Sequence, residues 1–342
     1  MNLIHEMIMS KEIKSNDARV YETLDYYEMN LLFRPDDKQL VQETESIFAD
    51  NDRAIAIFKD EIHTLVDRFN EARISYVLLV GIPFSEKYHD EPRLRLQEDI
   101  DFLIAEKDQT AASGILEAIG FHKYNVNLKR KHVTFMKNVA DFNNTALNQR
   151  RSIKVKLYRR ITDFQFGNLT YSLFCNYVVE HNGIRVFNDE MTLAHLIIHA
   201  HYYDFHPKIL ADIYMICKNR RIGWTMLNDL LSRYGYVRTG MIVRDIVGRL
   251  GVRIDDWEPI ATHYHDISFL GDLYLSGVFW GDLFVKLDKN EMTKLRCYIY
   301  NPDDYMDRFC SFMEQGMCRR VSPMRSSLFV GDEANYSITK EV

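Results

Sequence analysis

The sequence has no long hydrophobic run. No window reaches the roughly 18 consecutive apolar residues that a membrane-spanning helix needs, so no such helix is expected. The N-terminus, "MNLIHEMIMSKEIKSNDARVYETLDYY", lacks the basic start, apolar centre and small-residue cleavage site of a signal peptide. Cysteine is scarce: five residues, Cys175, Cys217, Cys297, Cys310 and Cys318, irregularly spaced and without a CxxC pair. Free thiols in a reducing cytoplasm fit this better than a disulfide frame or a zinc knuckle. Internal repeats and low-complexity tracts are also missing.

What is present is an ordinary globular composition, 46% hydrophobic and 27% charged over 342 residues, enough for two domains. The net charge of −6 is unevenly spread. Between Phe121 and Thr162 eleven Lys or Arg meet a single acid, Asp141, a local charge of +10. Such a field favours a polyanionic ligand, and it equally fits a solvated basic face balanced by acidic surface elsewhere. No recognisable RNA- or DNA-binding motif accompanies "RRSIKVKLYRR", so nucleic acid is not the expected partner.

Residues 1–50 read as a weakly patterned helical extension. From Asp52 to Ala72, Phe58, Ile62, Leu65 and Phe69 recur at threes and fours, which places them on one helix face. "ISYVLLVG" (74–81) reads as a strand ending in glycine, "PFSEKYHD" (83–90) as a short helix or loop, and "EDIDFLI" (98–104) as a second strand. "DQTAASGILEAIG" (108–120) is a helix stopped by Gly120, and "KHVTFMK" (131–137) and "SIKVKLYRR" (152–160) alternate as strands. A mixed β-sheet with flanking helices accounts for this order, an α+β arrangement. Beyond residue 170 the texture becomes helical. Runs at 191–205, 207–219, 223–235 and 237–251 are joined by short Gly- or Pro-marked turns, as in a helical-bundle domain. The expected division is 1–50, 51–170, 171–323 and a polar tail, 324–342.

The chemistry centres on "LQEDIDFLIAE" (96–106). Strand alternation puts Asp99 and Asp101 on one face and Ile100 and Phe102 on the other. Two such carboxylates repel one another, and a divalent cation relieves the repulsion. Mg²⁺ takes one or two carboxylates and completes its shell with water and phosphate oxygens. Gly81 lets a ligand approach the backbone closely. Ser85, nearby, is either a phosphate contact or a helix-start serine. His195 and His199 stand four apart, a zinc-compatible spacing, but "HLIIH" lacks the glutamate of a metalloprotease motif. His199 and Asp212 are expected to hydrogen-bond between adjacent helices, as a structural tie or at the acceptor side of a cleft. Trp224, Trp257 and Trp280 read as packing residues.

"YVLLVGIPFSEKYHDEPRLRLQEDIDFLI" (76–104) resembles the opening signature of the uncharacterised bacterial nucleotidyltransferases of the polymerase-beta-like superfamily. That signature has a glycine after a strand, then an arginine four residues before aspartate-hydrophobic-aspartate. Gly81, Arg95, Asp99 and Asp101 fit it. "ILEAIGF" (115–121) and "MTLAHLIIHAHYYDFHPKILADIYMI" (191–216) are similar to its later parts, with His199 and Asp212 on matching positions. The resemblance implies Mg²⁺- or Mn²⁺-dependent transfer of a nucleoside monophosphate from an NTP to a small-molecule, peptide or protein acceptor. Asp99 and Asp101 would hold the metal. Gly81 and Arg95 would face the triphosphate, with His199, Asp212 and Tyr158 toward the acceptor.

Two departures stand out. The family's lysine before the glycine is Val80, and its third carboxylate aligns with Lys156 and its histidine with Tyr158, in "KVKLYRRI" (154–161). Alternation points Lys156 toward Asp99 and Asp101, where its ammonium repels a divalent ion. Several outcomes stay open: one Mg²⁺ carried in with the nucleotide, Lys156 on phosphate with Glu98 helping the metal, or a non-catalytic nucleotide- or partner-binding chain. Asp141 and Asp163 are alternative third carboxylates should the strand alignment shift.

Overall fold

The computed structural model describes residues 3–9, 11–15, 17, 20, 24, 29–35, 38–127, 132–144, 149–161, 169–202, 205–254 and 257. Trp280, Asp163, the tail at 324–342 and the side chain of Asp141 lie outside the described residues. The chain opens with helix α1 (Leu3–Ile8) and two short parallel strands, β1 (Ile13–Lys14) and β2 (Phe33–Arg34). Helix α2 then runs Lys38–Glu71 without interruption. It begins upstream of Asp52, so the expected boundary at residue 50 falls inside it. The reason is local: residues 38–51 contain no Gly or Pro, and a started helix adds turns cooperatively.

Five strands build the central sheet: β3 (Tyr76–Leu78), β4 (Ile100–Ile104), β5 (His122–Asn127), β6 (His132–Asn144) and β7 (Gln149–Tyr158), in the order β3-β4-β7-β6-β5. The pair β4–β7 is parallel and the others are antiparallel, so the sheet is mixed. Helix α3 (Ile82–Tyr88) connects β3 to the 89–99 segment, and α4 (Gln109–Ala118) follows β4. Gly120, at φ +94°, turns the chain out of α4. The Gly120 and Phe121 N–H groups donate back to the carbonyls of Glu117 and Leu116, satisfying the helix end. The predicted face of α2 does what its spacing implies: Phe58, Ile62, Leu65 and Phe69 are all buried against the sheet. Phe69 meets Phe102 edge-on with ring centroids 5.2 Å apart.

After a hairpin, β8 (Val178–His181) and β9 (Ile184–Phe187), comes the helical half: α5 (Asp189–Tyr202), α6 (Pro207–Asn219), α7 (Trp224–Tyr234) and α8 (Val237–Arg249). Met191–Ile198 of α5 is buried at every position, as expected of a helix with apolar residues all round. Trp224 and Trp257 stack at 4.7 Å in the packing role assigned to them. Among the described residues no helix is long and apolar enough to cross a membrane.

Candidate functional site

β4 begins just after Asp99, and its parallel register places Asp101 beside Lys156 of β7. Lys156 Nζ lies 2.6 Å from Asp99 Oδ2, with both side chains about one-fifth exposed. At an effective dielectric near 20, opposite unit charges about 4 Å apart attract by roughly 4 kcal/mol before desolvation is counted. A divalent ion at Asp99 must displace that pair.

Gly81 precedes α3 at φ +151° and ψ −150°, a conformation open to glycine. A Cβ there would stand 3.3 Å from the Gln97 side chain. Gln97 is buried and donates through Nε2 to the Asp99 carbonyl, so its amide fills the space in front of Gly81. Ser85 is buried and donates to the Ile82 carbonyl within its own helix.

Arg95 donates twice to Asp212 of α6, from Nε to Oδ1 at 2.8 Å and from an Nη to Oδ2 at 2.9 Å. His89 Nε2 adds a contact to Asp212 Oδ1 at 2.9 Å. Burial opposes ionisation of the Asp212 acid, but Arg95 and His89 hold its pKa well below the usual carboxylate range. Burial likewise pulls the Arg95 pKa down, and Asp212, with Glu98 and Asp99, more than reverses this. The hydrogen bonds to Asp212 thus come from Arg95 and His89 rather than from the expected His199. His199 lies face to face with His195, ring centroids 5.7 Å apart, and burial lowers the His195 pKa to about 4. Tyr158 is nearly buried, its ring 4.7 Å from that of His132 and its carbonyl bonded by Gln109.

Sequence reasoning missed three participants. Lys208 contacts Glu98, the residue before Asp99. It stands four residues before Asp212, a spacing that puts both on one face of α6 and could have signalled it. Gln97 and His89 carry no such signal. The same helix and the residue after it fasten the rest of the 87–98 segment. Lys218 pairs with Asp90 at 2.6 Å, Asn219 donates to the Tyr88 carbonyl and Arg220 to the Lys87 carbonyl.

Four of the basic residues between Phe121 and Thr162 have described partners or are buried. Lys137 pairs with Glu61, Lys156 with Asp99 and Arg159 with Glu106, while Arg160 is buried. A cavity of about 440 Å³ lies between α2, α3 and the 90–95 segment, lined in part by Ile55, Lys59, Ser85 and Arg95 but by neither Asp99 nor Asp101. The metal site that the resemblance implies lacks a third carboxylate in this donor set. The position that the resemblance gives to a third carboxylate is that of Lys156, which pairs with Asp99, and among the described residues no group of three or more His, Cys, Asp or Glu is placed to hold a metal.

A mixed sheet with Asp99 and Asp101 at the head of β4 beside a glycine-started helix, followed by a helical half, makes this an α+β protein. The chain belongs to the family described as uncharacterised nucleotidyltransferase, whose model matches residues 19–245. Among solved structures it is similar to an antigenic nucleotidyltransferase-like protein from Paracoccidioides brasiliensis. The two are 13% identical, the match covers 57% of this chain and 92% of that one, and the TM-score is 0.35. No curated protein matches the chain.

Proposed function

We propose that the chain binds a nucleoside triphosphate at the Asp99–Asp101 face, and that Lys156 supplies there the positive charge that a metal ion supplies in an active transferase. The observation that supports this reading is the 2.6 Å pair between Lys156 and Asp99, with Asp101 alongside in the β4–β7 register. An ammonium at this place repels a divalent cation and is a good ligand for phosphate oxygens. The protein is then a nucleotide-binding member of its family whose affinity does not depend on Mg²⁺.

A second reading is Mg²⁺-dependent nucleotidyl transfer from an NTP to a small-molecule, peptide or protein acceptor. Retention of both Asp99 and Asp101 at the head of β4 favours it. Titration calorimetry with ATP, GTP, CTP and UTP, in EDTA and in Mg²⁺, separates the two. The first reading expects binding that persists in EDTA and weakens in Lys156→Ala. Pyrophosphate release that needs Mg²⁺ and is lost in Asp101→Ala establishes the second in its place. No affinity for any of the four nucleotides in either condition refutes both.

A further inference from the structure

Lys208 is not used by either reading, yet it repeats the Lys156 arrangement one residue earlier. Its Nζ contacts the Glu98 carboxylate, just as Lys156 Nζ contacts Asp99. The two lysines come from opposite halves of the chain, Lys208 from the first turn of α6 and Lys156 from β7. They close on adjacent carboxylates at the head of β4. Exposure differs across the Lys208 pair: the lysine side chain is 11% exposed and the Glu98 side chain 35%. The carboxylate is therefore the outer partner, with solvent to move into.

We propose that Lys156 and Lys208 are two jaws of a clamp for a polyphosphate chain, and that Glu98 and Asp99 are the carboxylates such a chain displaces from them. The inference rests on the nucleotide-binding reading and adds to it a phosphate contact from the helical half. A phosphate oxygen offers an ammonium the same charge-assisted hydrogen bond that a carboxylate oxygen does. The exchange makes and breaks ion pairs alone. Because the jaws hold the carboxylates of two consecutive residues, they suit a di- or triphosphate better than a single phosphate.

The test is calorimetry on the full chain with inorganic tripolyphosphate and with ATP, both in EDTA. Glu98→Gln keeps the shape of the side chain and removes the competing charge, so it is expected to tighten binding of both probes about tenfold, the scale of one charged hydrogen bond. Lys208→Ala is expected to weaken both by about the same factor, and Lys208→Arg to retain most of the affinity. A partly unfolded chain does not bind more tightly, so the gain in Glu98→Gln cannot arise from damage. If Glu98→Gln and Lys208→Ala both bind as the wild type does while Lys156→Ala is weakened, the clamp is wrong and the nucleotide reading stands. If the wild type binds neither probe, the nucleotide reading falls and the clamp with it.

Discussion

Removing the Asp212 carboxylate is the sharpest perturbation this structure offers. The side chain is 2% exposed and accepts two bonds from Arg95 and one contact from His89. Truncating one partner of a buried ion pair costs about 3–5 kcal/mol, because the other charge stays buried and uncompensated. At an unfolding entropy of about 2.1 cal/mol/K per residue, a 342-residue chain shifts by roughly 1.4 °C per kcal/mol, so Asp212→Ala should lower the melting midpoint by roughly 4–7 °C. Replacing both partners, as in Arg95→Met with Asp212→Leu, removes the charge and refills the volume, and such swaps are often neutral or better. His89 still loses its acceptor, at about 1 kcal/mol. Thermal and urea melts at pH 7 measure all three chains. A loss below about 1 kcal/mol in Asp212→Ala, or a double variant no more stable than the single, refutes the buried-pair energetics. The double variant also tests what Arg95 does. A guanidinium spent on Asp212 leaves ATP affinity unchanged, whereas lost affinity assigns Arg95 to the phosphates.

Other outcomes follow from single residues. Burial holds the His195 pKa near 4, below its ordinary 6.5, so the unfolded chain takes up that proton first. This stability is fully present above pH 6.5 and is lost as pH falls toward 4, about 3 kcal/mol in all; His195→Leu should flatten the slope of stability against pH, and an unchanged slope argues against it. Gly81→Ala must adopt φ +151° and meet Gln97, costing about 1–3 kcal/mol in urea melts. Adding Gln97→Ala relieves the contact but not the backbone, so full recovery in the double variant would disprove a backbone origin. Burial pushes the Cys217 thiol up to about 12 while Cys175 is exposed. Iodoacetamide followed by peptide mapping should label Cys175 in the native protein and Cys217 after unfolding, and equal labelling of both counts against the burial.

Local patterns made much of the fold legible. Alternation gave β4, β6 and β7, and through them the approach of Lys156 to Asp99, because a side chain's face on a strand follows from parity alone. Helical spacing gave the buried face of α2, and Gly120 the end of α4. β5 was not legible: its residues "HKYNVN" lie at the sheet edge with Tyr124 and Val126 exposed, so no core stripe marks them. The β8–β9 hairpin did carry a sign, Asn182-Gly183 at φ +52° and +78°, a pair suited to a tight two-residue turn between strands. The partners of Asp212 could not be read at all, since Arg95 and His89 lie more than a hundred residues away in sequence.

The 87–98 segment belongs to the first half of the chain by sequence and to the α6 region by its bonds. Lys208, Asp212, Lys218, Asn219 and Arg220 all hold it. Cooperative units follow contacts rather than domain boundaries. The sheet and the helices should therefore melt as one unit, giving a single calorimetric transition in place of two.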